Sequence, residues 1–444
     1  MDFKAVAGRT ISFFVIAILS LAINQTECLA QNEAVFSAAS KYTVKIRSVV
    51  EYPTINDRRG VFSGAGFVVD LKRGWIATNA HVVGRVNKSL DVKFKDGEYK
   101  PAKLIYFDSY LDFAVISIET TSLPTFATEA SLNCKDKSAL GVAVGAFGHP
   151  YGLDFTGTRG IVSGTKFRWS RNWIQTDASI NSGNSGGPLI EFETGGVIGI
   201  NTSSLSKSNS DGISFSIPSP DFCPVIDLLR DGLDPNPVLI PAAIALDHDK
   251  ETGLNVMRIY QRLPVHWDLR EGDRLQKLIY GDQLGGSYVR KLETPADLIT
   301  GLRTAKGSSA KLALIRDNNT ITVPIDIKRR ASVLSQRFVY VSGVTIGQYE
   351  LDDDELNNSE RLLVVHNVRD SSKANVAGLR RRDLIKSVDG RLFQTPERLA
   401  EYLEKKRNKT VSFNIMRRQP DYGQSISHKL IRIEVDQLQR IGAW

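Results

Sequence analysis

The chain has 444 residues, 42% of them hydrophobic and 24% charged, with a formal net charge of +8. That length exceeds one ordinary domain and points to two to four. The composition excludes disorder as the main state and a polytopic membrane protein, and no period of roughly 20–50 residues marks a repeat protein.

In chain order, the first feature is the uncharged apolar run Ile11 to Ile23, behind Lys4 and Arg9 and ahead of Cys28-Leu29-Ala30. It is short of the ~20 residues that span a bilayer. Basic region, apolar core and small residues before the cut read as a signal peptide, residues 1–30, cleaved after Ala30. An uncleaved anchor is the weaker reading because the run is short, and Thr26-Glu27 before Cys28 makes a poor lipobox. Removal of the leader leaves Cys134 and Cys223 in an oxidising compartment, where one disulfide or two separate buried thiols both fit.

From Ala34 to about Pro218 the chain is dense in Gly, Val, Ile, Ser and Thr. Strands are predicted at Tyr42–Val49, Gly66–Val69, Trp75–Thr78, Asp91–Phe94, Phe113–Ile118, Ala139–Val144, Ile161–Thr165, Trp173–Thr176, Gly196–Asn201 and Ile213–Ile217. Turn formers separate them at roughly 8–12-residue spacing, the pattern of an all-β barrel or sandwich. A helix is predicted over Pro220–Leu229, and Asp231–Pro237 reads as a linker. Two blocks follow, 238–328 and 332–436, each mixing short strands with one or two helices and separated by Lys328-Arg329-Arg330. Positive charge concentrates late, in Arg380-Arg381-Arg382 and Lys405-Lys406-Arg407. No aromatic-interleaved motif accompanies it, so it reads as a solvated basic face and no nucleic-acid partner is expected.

Gly183-x-Ser185-x-Gly187 matches a nucleophile elbow, a weak signal when alone. Chain order narrows the reading. An α/β-hydrolase places its acid and His after the Ser, but here the later histidines, His248, His266, His366 and His428, all lie beyond the linker. Before Ser185 stand His81, at the end of an apolar run, and Asp112, opening another. The order His, Asp, Ser across an all-β region is that of the chymotrypsin fold.

Further segments carry a wider resemblance: Ser63–Val68, Thr78–Val83, Leu111–Val115, Gly148–Gly152, Gly160–Gly164, Ile174–Ala178, Gly183–Leu189, Gly199–Thr202 and Phe215–Ser219. Together, in order, they cover essentially all of 35–222, and the chain resembles the HtrA/Deg family of trypsin-like serine proteases. The resemblance implies a multidomain chain: an all-β chymotrypsin-like double β-barrel protease domain over 35–230, then two PDZ-like domains of β-rich α+β type.

Ser185 would be the nucleophile, His81 the base and Asp112 its orienting acid, with the backbone N–H groups of Gly183 and Ser185 as the oxyanion hole. Asp108 is the competing acid, but Asp112 directly precedes the strand, as in the family. His149 replaces a usual Asn and reads as structural, as does Asp177. Ser182 replaces a usual Pro. Ser179 occupies the place of the Asp that selects Lys or Arg in trypsin-like enzymes. Ser179, Ile200, Asn201, Ile213 and Phe215 would form a small apolar pocket. The mechanism calls for no cofactor and no metal.

Residues 332–436 resemble a PDZ domain through Ala377–Ile385, the turn Val388-Asp389-Gly390 and the helix Pro396–Leu403, with Arg382 where Gly is usual. A PDZ groove binds a peptide C-terminus by strand addition, and Ser342-Gly343-Val344 is the candidate carboxylate loop. Residues 238–328 resemble a more divergent copy through Leu269–Leu275, with Thr294–Leu302 as its helix and Asp268 where Gly is usual. The resemblance further implies an ATP-independent endopeptidase of the Gram-negative periplasm acting on unfolded or damaged polypeptides. It also implies a trimer-based homo-oligomer, with Phe36 and Tyr42 as candidate contacts. The rival class is a non-proteolytic chaperone or PDZ scaffold on a protease-like barrel, which has no need of His81, Asp112 and Ser185 together.

Overall fold

The computed structural model describes residues 33–444 except 56, 136–138, 169–170, 203–211, 247–253, 261–262, 282–286, 349–361 and 419–424. The predicted leader, residues 1–30, lies outside them. Among the described residues no helix is long and apolar enough to cross a membrane.

Six strands, β1 (Thr43–Val50), β2 (Gly60–Asp70), β3 (Trp75–Thr78), β4 (Ser89–Lys93), β5 (Lys100–Asp108) and β6 (Phe113–Ile118), close a barrel in the order β1-β2-β3-β6-β5-β4. Six more, β7 (Ala143–Gly148), β8 (Thr156–Arg168), β9 (Arg171–Thr176), β10 (Pro188–Glu191), β11 (Val197–Thr202) and β12 (Ser214–Pro218), close a second in the order β10-β11-β12-β9-β8-β7. The architecture is the predicted double barrel. Sequence patterning missed β5 and β10, and β7 begins four residues later than the predicted Ala139.

Strand β11 is buried on both faces and β6 nearly so. One face of such a strand fills its own barrel and the other meets a neighbour, so an alternating pattern gives way to an apolar run. The neighbour of β2 and β6 is the helix Ser219–Arg230, whose Phe222 stacks on Phe113 at 5.3 Å and meets Phe67 edge-on at 6.5 Å. Each such ring contributes about 1.5–3 kcal/mol by leaving water. Cys223 on this helix forms a disulfide with Cys134, Cα atoms 5.8 Å apart.

Residues 33–42 are helical. Phe36 packs on Phe147 and Phe192 of the second barrel, with ring centres 5.7 and 5.3 Å apart. Tyr42 is buried in the first barrel's core. Both rings, expected as oligomer contacts, also pack inside the chain, Tyr42 buried and Phe36 half-buried.

The two C-terminal blocks are separate sheets with separate cores, and they repeat one device. Asp273 accepts from the Arg270 N–H at 2.8 Å and from both arms of Arg316 at 2.8 and 2.7 Å. Asp383 accepts from the Arg380 N–H at 2.7 Å and from both arms of Arg417 at 2.7 Å. Gly272 and Arg382 precede these aspartates with φ of +89° and +71°. The turn that usually takes Gly is kept with Arg382 in left-handed backbone, a conformation that costs a bulky residue energy.

Candidate active site

Strands β3 and β6 run antiparallel with Thr78 opposite Ala114. That register brings residues just after β3 beside residues just before β6. Asp112, at φ +53°, receives the Ala80 N–H and the Asn79 side-chain amide on its carbonyl at 3.1 and 3.0 Å. Its carboxylate receives the His81 backbone N–H at 3.0 Å on Oδ1. Oδ2 lies 2.8 Å from His81 Nδ1 and accepts from Thr202 Oγ1 at 3.4 Å. A carboxylate acceptor at Nδ1 selects the tautomer with its proton there and leaves the Nε2 lone pair free. Packing around the ring depresses the His81 pKa, the charge and hydrogen bond of Asp112 raise it, Arg171 opposes them, and the balance is upward.

Ser185 sits 6% exposed on the turn that leads into β10. The turn is held by Asn184 N–H to the Asn181 carbonyl at 2.9 Å, Gly187 N–H to Asn184 at 2.9 Å and Gly186 N–H to Asn201 at 2.8 Å. The Ser185 carbonyl accepts from Ala65 of β2 at 2.8 Å, joining the two barrels at this residue. Gly183 has φ +106°, and a Cβ there would run into the His149 carbonyl oxygen. Among the described residues, the N–H groups of Gly183 and Ser185 donate to no protein acceptor, and Ser185 Oγ makes no hydrogen bond with His81.

The loop after β7 braces this turn. The His149 N–H donates to the Gly183 carbonyl at 3.2 Å and the Tyr151 N–H to Ser182 at 3.0 Å, while Tyr151 Oη donates to Asn181 Oδ1 at 3.0 Å. His149 is 1% exposed, and its Nδ1 accepts from the Phe155 N–H at 3.0 Å. Burial drives its pKa down to about 4, so the ring is neutral near neutral pH. The backbone role of Ser182 carries no side-chain signature in the sequence.

A family model described as a trypsin-like peptidase domain matches residues 64–200. The periplasmic pH-dependent serine endoprotease DegQ of Escherichia coli is 30% identical over 342 residues, 73% of this chain and 72% of that one. A DegP-like periplasmic serine endoprotease of Halomonas elongata is 30% identical over 364 residues, 77% of this chain and 73% of that one. The chain belongs to the HtrA/Deg family of serine proteases. In fold it is also similar to the HtrA-type protease AlgW solved with a tripeptide, with a TM-score of 0.53 and 24% identity over 67% of this chain and 97% of that one.

This HtrA/Deg protease places its other expected site residues unevenly. Asp108 belongs to a different ion pair, 2.6 Å from Arg303. Asp177 Oδ1 accepts from the Ile161 N–H at 2.6 Å and serves the β8 turn. Ser179 is exposed, and its carbonyl accepts from Thr158 Oγ1 at 2.9 Å and the Asn184 amide at 3.4 Å. Ile213 is half-buried against the core. Ile200 and Phe215 belong to the core, and Asn201 donates to the Pro188 and Phe147 carbonyls at 2.9 and 3.4 Å while its Oδ1 accepts from Ser216. These three side chains are committed to the barrel interior. Thr202, which sequence reasoning passed over, follows them and reaches Asp112; its place one residue after Asn201 in a buried strand was the available signal. Among the described residues no three His, Cys, Asp or Glu side chains gather as a metal site.

In the second C-terminal block, Ser342 and Gly343 take φ of +51° and +95°. They are the two central residues of a hairpin between strands Arg337–Val341 and Val344–Gln348, the positive-φ pair of a type I′ turn. Ser342 Oγ donates to the Glu434 carbonyl at 2.7 Å. Strand Val344–Gln348 is paired on both sides, with Arg337–Val341 and with Leu363–Val368. Ser342-Gly343-Val344 therefore offers no open strand edge to a peptide.

Proposed function

We propose that this protease is an exported endopeptidase that cleaves unfolded or damaged polypeptides through a Ser185 acyl-enzyme. The reading rests on the Thr202–Asp112–His81 network beside a turn whose Gly183 and Ser185 N–H groups are unspent. Ser185 Oγ attacks the scissile carbonyl while His81 Nε2 takes its proton; Asp112 stabilises the resulting imidazolium. The two N–H groups receive the oxyanion, a contribution of roughly 10²–10³ in turnover per donor. The His81–Ser185 hydrogen bond closes as substrate seats, as such bonds commonly do.

With Ser179 in place of an acid, small apolar residues precede the cut bond. The names of the relatives place those proteins in the periplasm, the compartment that the leader expected at residues 1–30 would serve. Regulation by peptide C-termini would use the first C-terminal domain. There Ala242–Leu246 stands at the sheet edge, paired among the described residues only with Leu254–Ile259, and packs against helix Pro295–Thr304.

Casein digestion by the mature protein, beside Ser185→Ala, tests the reading. Cleavage by the wild type and none by the variant is expected. A Ser185→Ala protein that still cleaves removes Ser185 as nucleophile.

A further inference from the structure

A cavity of about 890 Å³ opens where the loop after β1 meets the second C-terminal domain. Its volume falls in the ~300–1,000 Å³ range of ligand sites. Five guanidinium groups line it, Arg58 and Arg59 from the protease domain and Arg369, Arg381 and Arg407 from the other wall. None of the five forms an ion pair among the described residues. Carboxylates share the walls, but most have partners elsewhere. Glu51 binds Lys88 at 2.7 Å, Asp57 accepts from Thr54 Oγ1 at 2.6 Å, and Asp436 binds Lys373 at 2.9 Å. Asp57 and Glu51 act on Arg381 and Arg59 only at longer range, and no carboxylate sits in ion-pair contact with any of the five among the described residues. Burial first, and then the neighbouring Arg382, lower the Arg381 pKa while Asp57 raises it, and the net shift is downward.

We propose that this interdomain cavity binds an acidic segment of extended polypeptide. Arg side chains pair carboxylates in two-pronged geometry, and charge-assisted bonds are the strong ones. Apolar surface lies among them: the Tyr52 and Tyr340 rings, centres 4.5 Å apart, with Pro53 and Val368. That mixture suits a peptide whose carboxylates alternate with apolar side chains. A uniformly charged polyanion would meet Glu51, Asp57, Asp370 and Asp436 on the same walls and be repelled. The occupant touches both domains, so it stabilises their docked arrangement by its binding free energy. Its lining shares no residue with the Ser185 turn or the Ala242–Leu246 edge.

The test uses full-length protein carrying Ser185→Ala, so that binding is read without cleavage. A labelled peptide of Asp and Glu alternating with Val and Leu is followed by fluorescence anisotropy. Its Asn and Gln counterpart and an inorganic polyphosphate chain are run beside it. The acidic peptide should bind, weaken as salt is raised from ~50 to ~300 mM, and lose about tenfold or more in affinity with Arg369→Ala/Arg381→Ala. Arg58→Ala/Arg59→Ala, on the other wall, should do the same. Exposed substitutions of this kind leave the melting temperature nearly unchanged, which separates lost binding from lost folding. Equal binding of the amide peptide, or affinity unmoved by both double variants, overturns the proposal. Binding of polyphosphate alone, abolished by the same variants, makes the cavity a polyanion site and overturns the peptide assignment.

Discussion

Arg303, on the helix Pro295–Thr304 of the first C-terminal domain, and Asp108, at the end of β5, form a 2.6 Å ion pair across the domain boundary with side chains 2% and 1% exposed. The other oxygen of Asp108 accepts the Leu111 N–H at 2.9 Å, one residue before Asp112, and Tyr106 Oη donates to Asp108 at 3.1 Å. A charge on the first C-terminal domain thus supports the turn that carries the acid of the candidate triad.

Breaking a buried pair from one side leaves the other charge stranded, at a cost of about 3–5 kcal/mol. Arg303→Ala should lower stability by that order in urea unfolding and reduce kcat more than KM, because the Asp112 turn loosens. Arg303→Met with Asp108→Asn removes both charges and should recover much of the loss. If Arg303→Ala unfolds at the wild-type midpoint, the pair is not part of what holds the domains.

The upward shift of His81 sets the acid limb of activity. His81 works as a base only when neutral, so kcat/KM should climb with pH through an apparent pKa above the ~6.5 of a free imidazole. Asp112→Asn removes the charge that raises it and favours the wrong tautomer. The midpoint should move down and turnover fall roughly 10⁴-fold. A pH profile of a neutral peptide substrate reads both effects, and an unmoved midpoint would deny Asp112 its electrostatic role.

Much of the fold was readable because β-branched apolar runs between turn formers are the local signature of barrel strands. The first half of β5 escaped because its face is wet: Lys100, Pro101 and Lys103 are exposed there. Strand β10 escaped because it is four residues long and continues the Ser185 turn. The candidate triad of His81, Asp112 and Ser185 was proposed from order and motif. The lining of a substrate pocket is harder to read, since β11 is buried on both faces and its sequence gives no clue which side chains face a substrate. Ser342-Gly343 was read as a peptide-carboxylate loop, although two turn formers between apolar runs are equally a hairpin signal. The Arg303–Asp108 pair spans 195 residues, and nothing local announces it.

The Cys134–Cys223 bond closes a loop with a sequence separation of 89 and pins the helix that carries Phe222. Loop closure on that scale is worth roughly 2–5 kcal/mol in the chain-entropy account. Reduction, or Cys134→Ala with Cys223→Ala, should lower the melting temperature of the protease domain. Thiol titration of the unfolded, unreduced mature protein should find no free cysteine; two free thiols would mean that the bond does not form.

His149 makes the brace of the Ser185 turn sensitive to acid. Its folded pKa of about 4 lies below the ~6.5 of the unfolded chain. Between those values the unfolded state binds a proton that the folded state refuses, so stability rises with pH across that window and falls as pH drops through it. The loss from this residue approaches about 3 kcal/mol by pH 4. His149→Asn keeps an acceptor for the Phe155 N–H and has no proton to gain. It should flatten the pH dependence of urea unfolding between about 4 and 6.5 while leaving stability at pH 8 within about 1 kcal/mol of the wild type. A variant with the wild-type slope would place the acid sensitivity elsewhere, and a variant unstable at pH 8 would mean that the ring's packing against Phe155 matters more than its charge.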